Sequence, residues 1–453
     1  MKKNITTTNP YNGNKLKDYQ FHTEKEISEI LNQADHCFKT WKKETISNRT
    51  KLLHAVAKNL SSKKQEYSRL MTLEMGKPIT ESISEIEKCI ALCDFYATNA
   101  ASLLSDELIE TDADESFISY DPLGCVLGIM PWNFPFWQAF RFAIPTLTSG
   151  NTVILKHASN VTGCALAIHD IFKNSGYPNG CFATVLANHN TIETVIKNDI
   201  VKAVSLTGSE KAGKTVAKIA GAQLKPSLLE LGGNNACIVL NDADLDTYLD
   251  TMVKARMQNT GQSCIAAKRF IVEEGIYDEF LDKFTDKVSA LNFEDPLLET
   301  SDIGTLARTD LADILQEQIN KSIEKGASVH FGNKRDKAYY QPTIITNVTA
   351  NMPVFTEETF GPVAAIIKVS NKDEAYKMAA NSYFGLGTMI FTEDIEDAKY
   401  RIIDIEDGSF FINDMVKSDP RLPFGGTKKS GYGRELSREG ILAFVNKKTV
   451  YIK

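Results

Sequence analysis

The sequence predicts an α/β protein of two domains with a small strand appendage. Three observations carry this. The chain has 453 residues, too many for one typical domain. From roughly its first quarter onward, short apolar runs alternate with stretches of helical period, which is the pattern of βαβ units around a parallel sheet. Two strand-like segments, one early and one at the tail, fall outside that alternation.

The elements follow in order. Thr23-x-x-Glu26 is a capping-box signature. It opens a helix with Ile27, Ile30, Leu31, Ala34, Phe38 and Trp41 on one face. A second helical stretch is expected over 48–75, with Gly76 and Pro78 as its stop signals, and a third over 83–96. Ser116–Tyr120 and Thr449–Ile452 read as edge strands, which are candidates for pairing with another subunit. Val126–Met130, Thr152–Leu155 and Ala203–Leu206 are the apolar strands of one α/β region. A second such region begins near Ala236 and runs through Gly361–Ile367.

Composition excludes several classes. The chain is 43% hydrophobic and 24% charged, ordinary for a soluble protein. A net charge of −7 suits the cytoplasm and offers no basic field for nucleic acid. No apolar run approaches the ~20 residues of a membrane span. Met1–Thr6 lacks the apolar core of a leader. The 8 cysteines form neither a CxxC pair nor a Cys/His cluster of zinc spacing, so reduced thiols and no metal site are expected.

Three residues could carry covalent chemistry. A free Cys is usually a small buried hydrophobe. Cys264 differs because Gly261-Gln262-Ser263 precedes it, and small polar neighbours at a turn expose a thiol. The thiolate is the nucleophile, so local charges are expected to lower its pKa. Glu230 sits between leucines and before Gly232 and Gly233. It is either a surface carboxylate on a strand or a general base, raised by burial and free to swing on its glycines. Asn133, in Pro131-Trp132-Asn133-Phe134-Pro135, is a turn asparagine or an amide aimed at an oxyanion. One such donor is worth roughly 3–4 kcal/mol of transition-state stabilisation. Thr207-Gly208-Ser209 joins a strand to a helix, where N–H groups can receive phosphate. Lys156, past another strand, is a solvated lysine or a ribose ligand.

In this order, these motifs resemble the aldehyde dehydrogenase superfamily. Glu357-Glu358-Thr359-Phe360-Gly361-Pro362 and Pro423-Phe424-Gly425-Gly426-x-Lys428-x-Ser430-Gly431 complete the likeness. The resemblance implies a Rossmann-type cofactor domain (1–101 and 123–230), an α/β catalytic domain (231–425) and oligomerisation strands (102–122 and 440–453) that build a homodimer or homotetramer. It casts Cys264 as nucleophile, Glu230 as base and Asn133 as oxyanion donor. It implies that Trp132, Lys156, Ser159, Thr207, Gly208, Ser209, Leu231, Glu358 and Phe360 surround NAD or NADP.

Asn413–Pro423 and Cys264–Phe270 are similar to the short bacterial succinate-semialdehyde dehydrogenases. Arg141 stands among Phe140, Phe142 and Ala143, either snorkelling off a helix or clamping a substrate carboxylate in bidentate fashion. The resemblance places an arginine there. Some members carry a second arginine where this chain has Gln258, which either weakens the carboxylate pocket or shifts that role to Ser418 or Lys417. Members switched by a disulfide carry Cys where Ala266 stands, so that switch is expected to be absent. NAD-preferring relatives often hold Glu where this chain has Ser159; without its repulsion, NADP is expected to be favoured. The expected reaction is oxidation of succinate semialdehyde to succinate through a Cys264 thiohemiacetal and a thioester hydrolysed by Glu230-activated water. Alternatives are glutarate semialdehyde, aminobutyraldehyde or an aliphatic aldehyde as substrate, CoA as acyl acceptor (against which Glu230 argues), or an inactive binding protein of the same fold.

Overall fold

The computed structural model describes residues 4–453. Met1–Lys3, the start of the segment read for a leader, lie outside the described residues. Strands β1 (Asn4–Thr8) and β2 (Lys15–Gln20) form an antiparallel hairpin. Helix α1 (Glu24–Trp41) starts at the expected capping box, where the Thr23 and Glu26 side chains accept each other's backbone N–H. The stretch expected as one helix over 48–75 is two, α2 (Ile46–Ser62) and α3 (Lys64–Met75), broken at Lys63. The Ser62 hydroxyl turns back to donate to the Asn59 carbonyl at 2.9 Å, the local competition that weakens serine in helices. Gly76 ends α3 in the left-handed region at φ 82°. Helix α4 (Ile79–Leu103) extends past both expected ends. Leu53, Val56 and Leu60 of α2 share a core with its Ile86, Cys89 and Leu92.

After β3 (Glu107–Leu108) and β4 (Glu115–Pro122) comes a regular alternation. It runs β5 (Cys125–Met130), α5 (Pro135–Thr148), β6 (Thr152–His157), α6 (Thr162–Asn174), β7 (Phe182–Thr184), α7 (His189–Lys197), β8 (Val201–Thr207), α8 (Glu210–Ala222) and β9 (Ser227–Glu230). The strands pair in parallel in the order β9-β8-β5-β6-β7. Chain order therefore reverses beside β5. In open α/β sheets, ligands bind in the crevice at strand C-termini where that reversal falls.

A second sheet is built from β10 (Asn235–Val239), which leads to α9 (Leu245–Met257), then β11 (Ala267–Glu273) and β12 (Ser328–Phe331). A hairpin of β13 (Arg335–Asp336) and β14 (Tyr339–Tyr340) precedes β15 (Thr343–Thr346), β16 (Val363–Val369), β17 (Phe384–Gly385), β18 (Thr388–Phe391) and β19 (Phe410–Ile412). Seven of these strands pair as β12-β15-β16-β11-β10-β18-β19, antiparallel only at β12. Every residue of β10, β15 and β18 is buried, as a parallel sheet covered on both faces requires.

The chain then returns to what it built first. Strand β20 (Thr427–Lys428) pairs with β17. Strand β21 (Gly431–Tyr432) adds to the first sheet beside β9, with Gly431 opposite Glu230. Strand β22 (Val445–Ile452) pairs with β4 along its whole length, from Val445 opposite Pro122 to Ile452 opposite Glu115. Ser116–Tyr120 is therefore not an edge. With β3 on one side and β22 on the other, its backbone groups are satisfied within the chain, and β22 is the long outer strand. Among the described residues, no helix is long and apolar enough to cross a membrane, and no group of three or more His, Cys, Asp or Glu could hold a metal ion.

Candidate active site

Cys264 lies between α9 and β11, after a 3-10 turn at Gln258–Gly261. Asn259 (φ 55°), Thr260 (φ 53°) and Gly261 (φ 70°) are all left-handed, a run costly for the first two. Neighbours hold it in place. Both Glu81 oxygens accept the Asn259 N–H, at 3.0 and 2.9 Å. Asn259 Nδ2 donates to the Asn133 carbonyl at 2.7 Å. Lys268 Nζ donates to the carbonyls of Ser263 and Cys264 at 2.8 and 2.7 Å. Seven cysteines are buried and Cys264 alone is half-exposed. Its thiol does not have the lowered pKa expected. Desolvation pushes it up to about 11, and the charges of Lys268 and Arg141 only partly oppose this. The Lys268 ammonium faces carbonyls and, at 3.1 Å, Glu358.

Asn133 is buried, and its Nδ2 donates to the Gln262 carbonyl at 3.1 Å. An amide nitrogen has two N–H donors, so one remains. Glu230 is also buried, and neither carboxylate oxygen has a hydrogen-bond partner. Burial raises its pKa well above the usual range and the charge of Glu435 raises it further, against the pull of Arg141 and Arg434. It is thus a deep carboxyl and not the surface carboxylate that was the other reading. Its glycine neighbours do not act as its hinge. The Glu230 carbonyl accepts from the Gly208 N–H at 2.9 Å, and its backbone is paired on β8 and β21. Gly232 and Gly233 instead make room for Glu358: a side chain at Gly232 would overlap that carboxylate, and the Gly233 N–H donates to it at 3.0 Å. Space for Glu230 comes from Gly425, where a Cβ would stand 2.7 Å from Glu230 Oε1.

A cavity of about 230 Å³ is lined by Cys264, Arg141, Gln258 and Ser418, with Trp137, Phe424 and Lys88 in the same wall. Glu230 and Asn133 are not in that wall. Helix α5 aims its side chains inward because Glu85 accepts the N–H groups of Phe136 and Trp137, at 2.7 and 2.8 Å, in its first turn. Glu85 is itself ion-paired with buried Lys77. Arg141 is fully buried and does not snorkel. Its Nε meets Glu435 at 2.5 Å, its guanidinium covers the Phe424 ring at 4.5 Å, and its Nη2 has no partner. Lys417 is drawn away to Asp414.

The crevice where β5 and β8 diverge fits a nucleotide. Thr207 closes β8, and its buried hydroxyl has no partner. Ser209 caps α8. Gly213 lets that helix approach Leu231, where a Cβ would come within 2.6 Å. On β6, across β5 from β8, Lys156 has no ion-pair partner among the described residues, and burial lowers its pKa. Ser159 follows it, exposed. Trp132 and Phe360 meet edge-to-face at 5.7 Å, and Glu358 lies beside them on Lys268.

Residues 1–450 match the Aldehyde dehydrogenase family. The chain belongs to the aldehyde dehydrogenase family. A probable NADP(+) succinate-semialdehyde dehydrogenase of Synechocystis sp. is 46% identical over 451 residues, covering 99% of each chain. Succinate-semialdehyde dehydrogenase [NADP(+)] 1 of Mycobacterium bovis is 43% identical over 454 residues, again 99% of each. The crystal structure of succinic semialdehyde dehydrogenase from Streptococcus pyogenes, in complex with NADP+, superposes with a TM-score of 0.97 at 35% identity over 99% of both chains.

Several residues around the site of this aldehyde dehydrogenase had no sequence signal. Lys88 sits in an amphipathic helix that carries no motif. Glu435 follows the last glycine-rich segment without a partner in view. Lys268 had one: a lysine beside an arginine inside the otherwise apolar run Ala266–Val272.

Proposed function

We propose that this aldehyde dehydrogenase oxidises succinate semialdehyde to succinate, with NADP+ favoured over NAD+. The observation that carries the substrate is Arg141, a fully buried guanidinium whose Nη2 has no partner, in the wall of the cavity that Cys264 also lines. A carboxylate entering such a cavity needs a charged donor, and the aldehyde end of a short semialdehyde is then left facing the thiol. The names of the Synechocystis and Mycobacterium relatives support the same substrate and cofactor.

Cys264 loses its proton to solvent, and the thiolate Sγ attacks the aldehyde carbon as the C=O π pair moves onto oxygen. The remaining Asn133 Nδ2 proton and the Cys264 backbone N–H hold the tetrahedral oxyanion. Bound in the crevice among Trp132, Lys156, Ser159, Thr207, Gly208, Ser209, Leu231, Glu358 and Phe360, the nicotinamide cofactor supplies the hydride acceptor. The acyl group is then a thioester on Cys264. Glu230, once ionised, takes a proton from the water that attacks it. Residues 1–101 and 123–230 serve the cofactor, 231–425 the chemistry, and 102–122 with 440–453 assembly. The outer edge of β22 supports a homodimer or homotetramer. The charge of the chain fits the cytoplasm.

The test compares kcat/KM for succinate semialdehyde and for butanal, a neutral aldehyde of equal length. Arg141→Ala is expected to lower that ratio by roughly 10- to 100-fold, the effect of losing a charge-assisted hydrogen bond. Equal efficiencies in the wild type would remove succinate semialdehyde as the substrate. Ser159→Glu is expected to lower the NADP+/NAD+ ratio of kcat/KM by roughly tenfold or more, because a carboxylate repels the 2′-phosphate. An unchanged ratio would exclude Ser159 from cofactor choice.

A further inference from the structure

Arg141 must share its charge between Glu435 and a substrate carboxylate. Its Nε faces Glu435 at 2.5 Å, its guanidinium covers the Phe424 ring at 4.5 Å, and its buried Nη2 has no hydrogen-bond partner. Gln258, across the same cavity, is neutral. The far carboxylate of a dicarboxylic semialdehyde would therefore meet a guanidinium already paired with another carboxylate, Glu435. Burying an anion there without another cation is costly.

Three lysines line the cavity: Lys88, Lys254 and Lys417. Lys417 is paired with Asp414. Lys254 is exposed at the rim, where water screens its charge. Lys88, on α4, differs from both. Its side chain is half-buried, and among the described residues no carboxylate ion-pairs with it. Its Nζ donates to Ser418 Oγ at 2.7 Å and stands 4.2 Å over the Trp137 ring. Trp137 Nε1 donates to the same hydroxyl at 3.1 Å. Two donors thus converge on one Ser418 oxygen, which leaves the Ser418 proton free to be donated. The ammonium is thus held by a hydroxyl and a ring, with no ion-paired carboxylate among the described residues, in the wall that Cys264 also lines.

We propose that Lys88, with the Ser418 hydroxyl beside it, is the second cationic ligand for the far carboxylate of the semialdehyde substrate. This rests on the substrate reading above. Lys88 contributes the charge that Arg141 spends on Glu435, and Trp137 beneath it fixes where the charge lies. The charged and titratable groups acting on Lys88 are Arg141, Cys89, Glu85 and Asp419. Burial is the largest influence, and with Arg141 it brings the ammonium down to about 8, so Lys88 is cationic at neutral pH yet has a reactive free-amine fraction.

The experiment is steady-state kinetics of Lys88→Met and Lys88→Arg with saturating NADP+. The readout is the ratio of kcat/KM for succinate semialdehyde to that for butanal. Lys88→Met is expected to lower this ratio by roughly 10- to 100-fold, through KM for the charged aldehyde. Lys88→Arg is expected to recover most of it, which loss of packing alone would not allow. A ratio unchanged in Lys88→Met overturns the assignment. A wild-type ratio near one would sink the substrate reading itself, and Lys88 with it. Trace acetylation of the wild-type enzyme, read by peptide mass spectrometry, gives a test without any variant. Succinate is expected to slow labelling of Lys88 while leaving Lys254 unaffected. Equal labelling of Lys88 with and without succinate counts against the proposal.

Discussion

Cys264→Ala is expected to abolish the burst of NADPH and lower turnover by a factor on the order of 10⁴ or more, because no other group can form the covalent intermediate. The other seven cysteines are buried, so none can substitute. The same thiol predicts a pH dependence. With its pKa pushed up to about 11 by desolvation, the thiolate fraction of the free enzyme rises about tenfold per pH unit through the neutral range. Alkylation of Cys264 by iodoacetamide in the absence of cofactor should follow that slope from pH 6 to 9. A plateau near neutrality would mean that the thiol is ionised by a contact other than those seen here. The fold should tolerate the substitution, since the loop is held by Glu81, Asn133 and Lys268, all bonded to backbone or to Asn259, and none to the sulfur.

Glu230→Gln should separate the two halves of the reaction. Acylation needs Cys264 and Asn133, so a burst of one NADPH per active site is expected to survive. Deacylation loses its base, and steady-state turnover should fall by roughly 10²- to 10⁴-fold. Glutamine has the same shape and also fits beneath Gly425, which keeps the comparison clean. Burial and the charge of Glu435 raise the pKa of Glu230 well above the usual carboxylate range, so wild-type deacylation should quicken as pH rises. Glu230→Gln should lose that dependence. Normal turnover by this variant would mean that another group activates the water.

Much of this was legible in the sequence, for physical reasons. The α1 start follows from Thr23 and Glu26, because a capping box is a local exchange of hydrogen bonds within one turn. The parallel strands β5, β6 and β8 are continuous apolar runs, as burial on both faces demands. Cys264, Arg141, Gln258 and Ser418 were each singled out, and they meet in one cavity. What failed was non-local, except for the Lys63 break, which goes with a local hydrogen bond from the Ser62 hydroxyl to Asn59. The pKa of Cys264 depends on where the Lys268 ammonium points, and nothing in its neighbours along the chain says that it faces carbonyls and Glu358. The glycines after Glu230 looked like its hinge, but they make room for Glu358, more than a hundred residues later in the chain. Lys88 and Ser418 are 330 positions apart, and only the fold joins them.

The last-made part of the chain closes the first-made sheet. Gly431 pairs with Glu230, Gly425 gives Glu230 its space, and Glu435 neutralises Arg141. On the ribosome, domains generally fold from the N-terminus as they emerge. Strands β5 to β9 would be complete with about half the chain still unmade, whereas Glu230, the carboxyl proposed to activate the hydrolytic water, lacks its wall until Gly425 to Glu435 arrive. A nascent chain can therefore acquire its thiol and its cofactor crevice before it can release an acyl group. On the proposed mechanism, turnover therefore needs residues made long after the first sheet, and a portion of the chain that stops before Gly425 is expected not to release the acyl group.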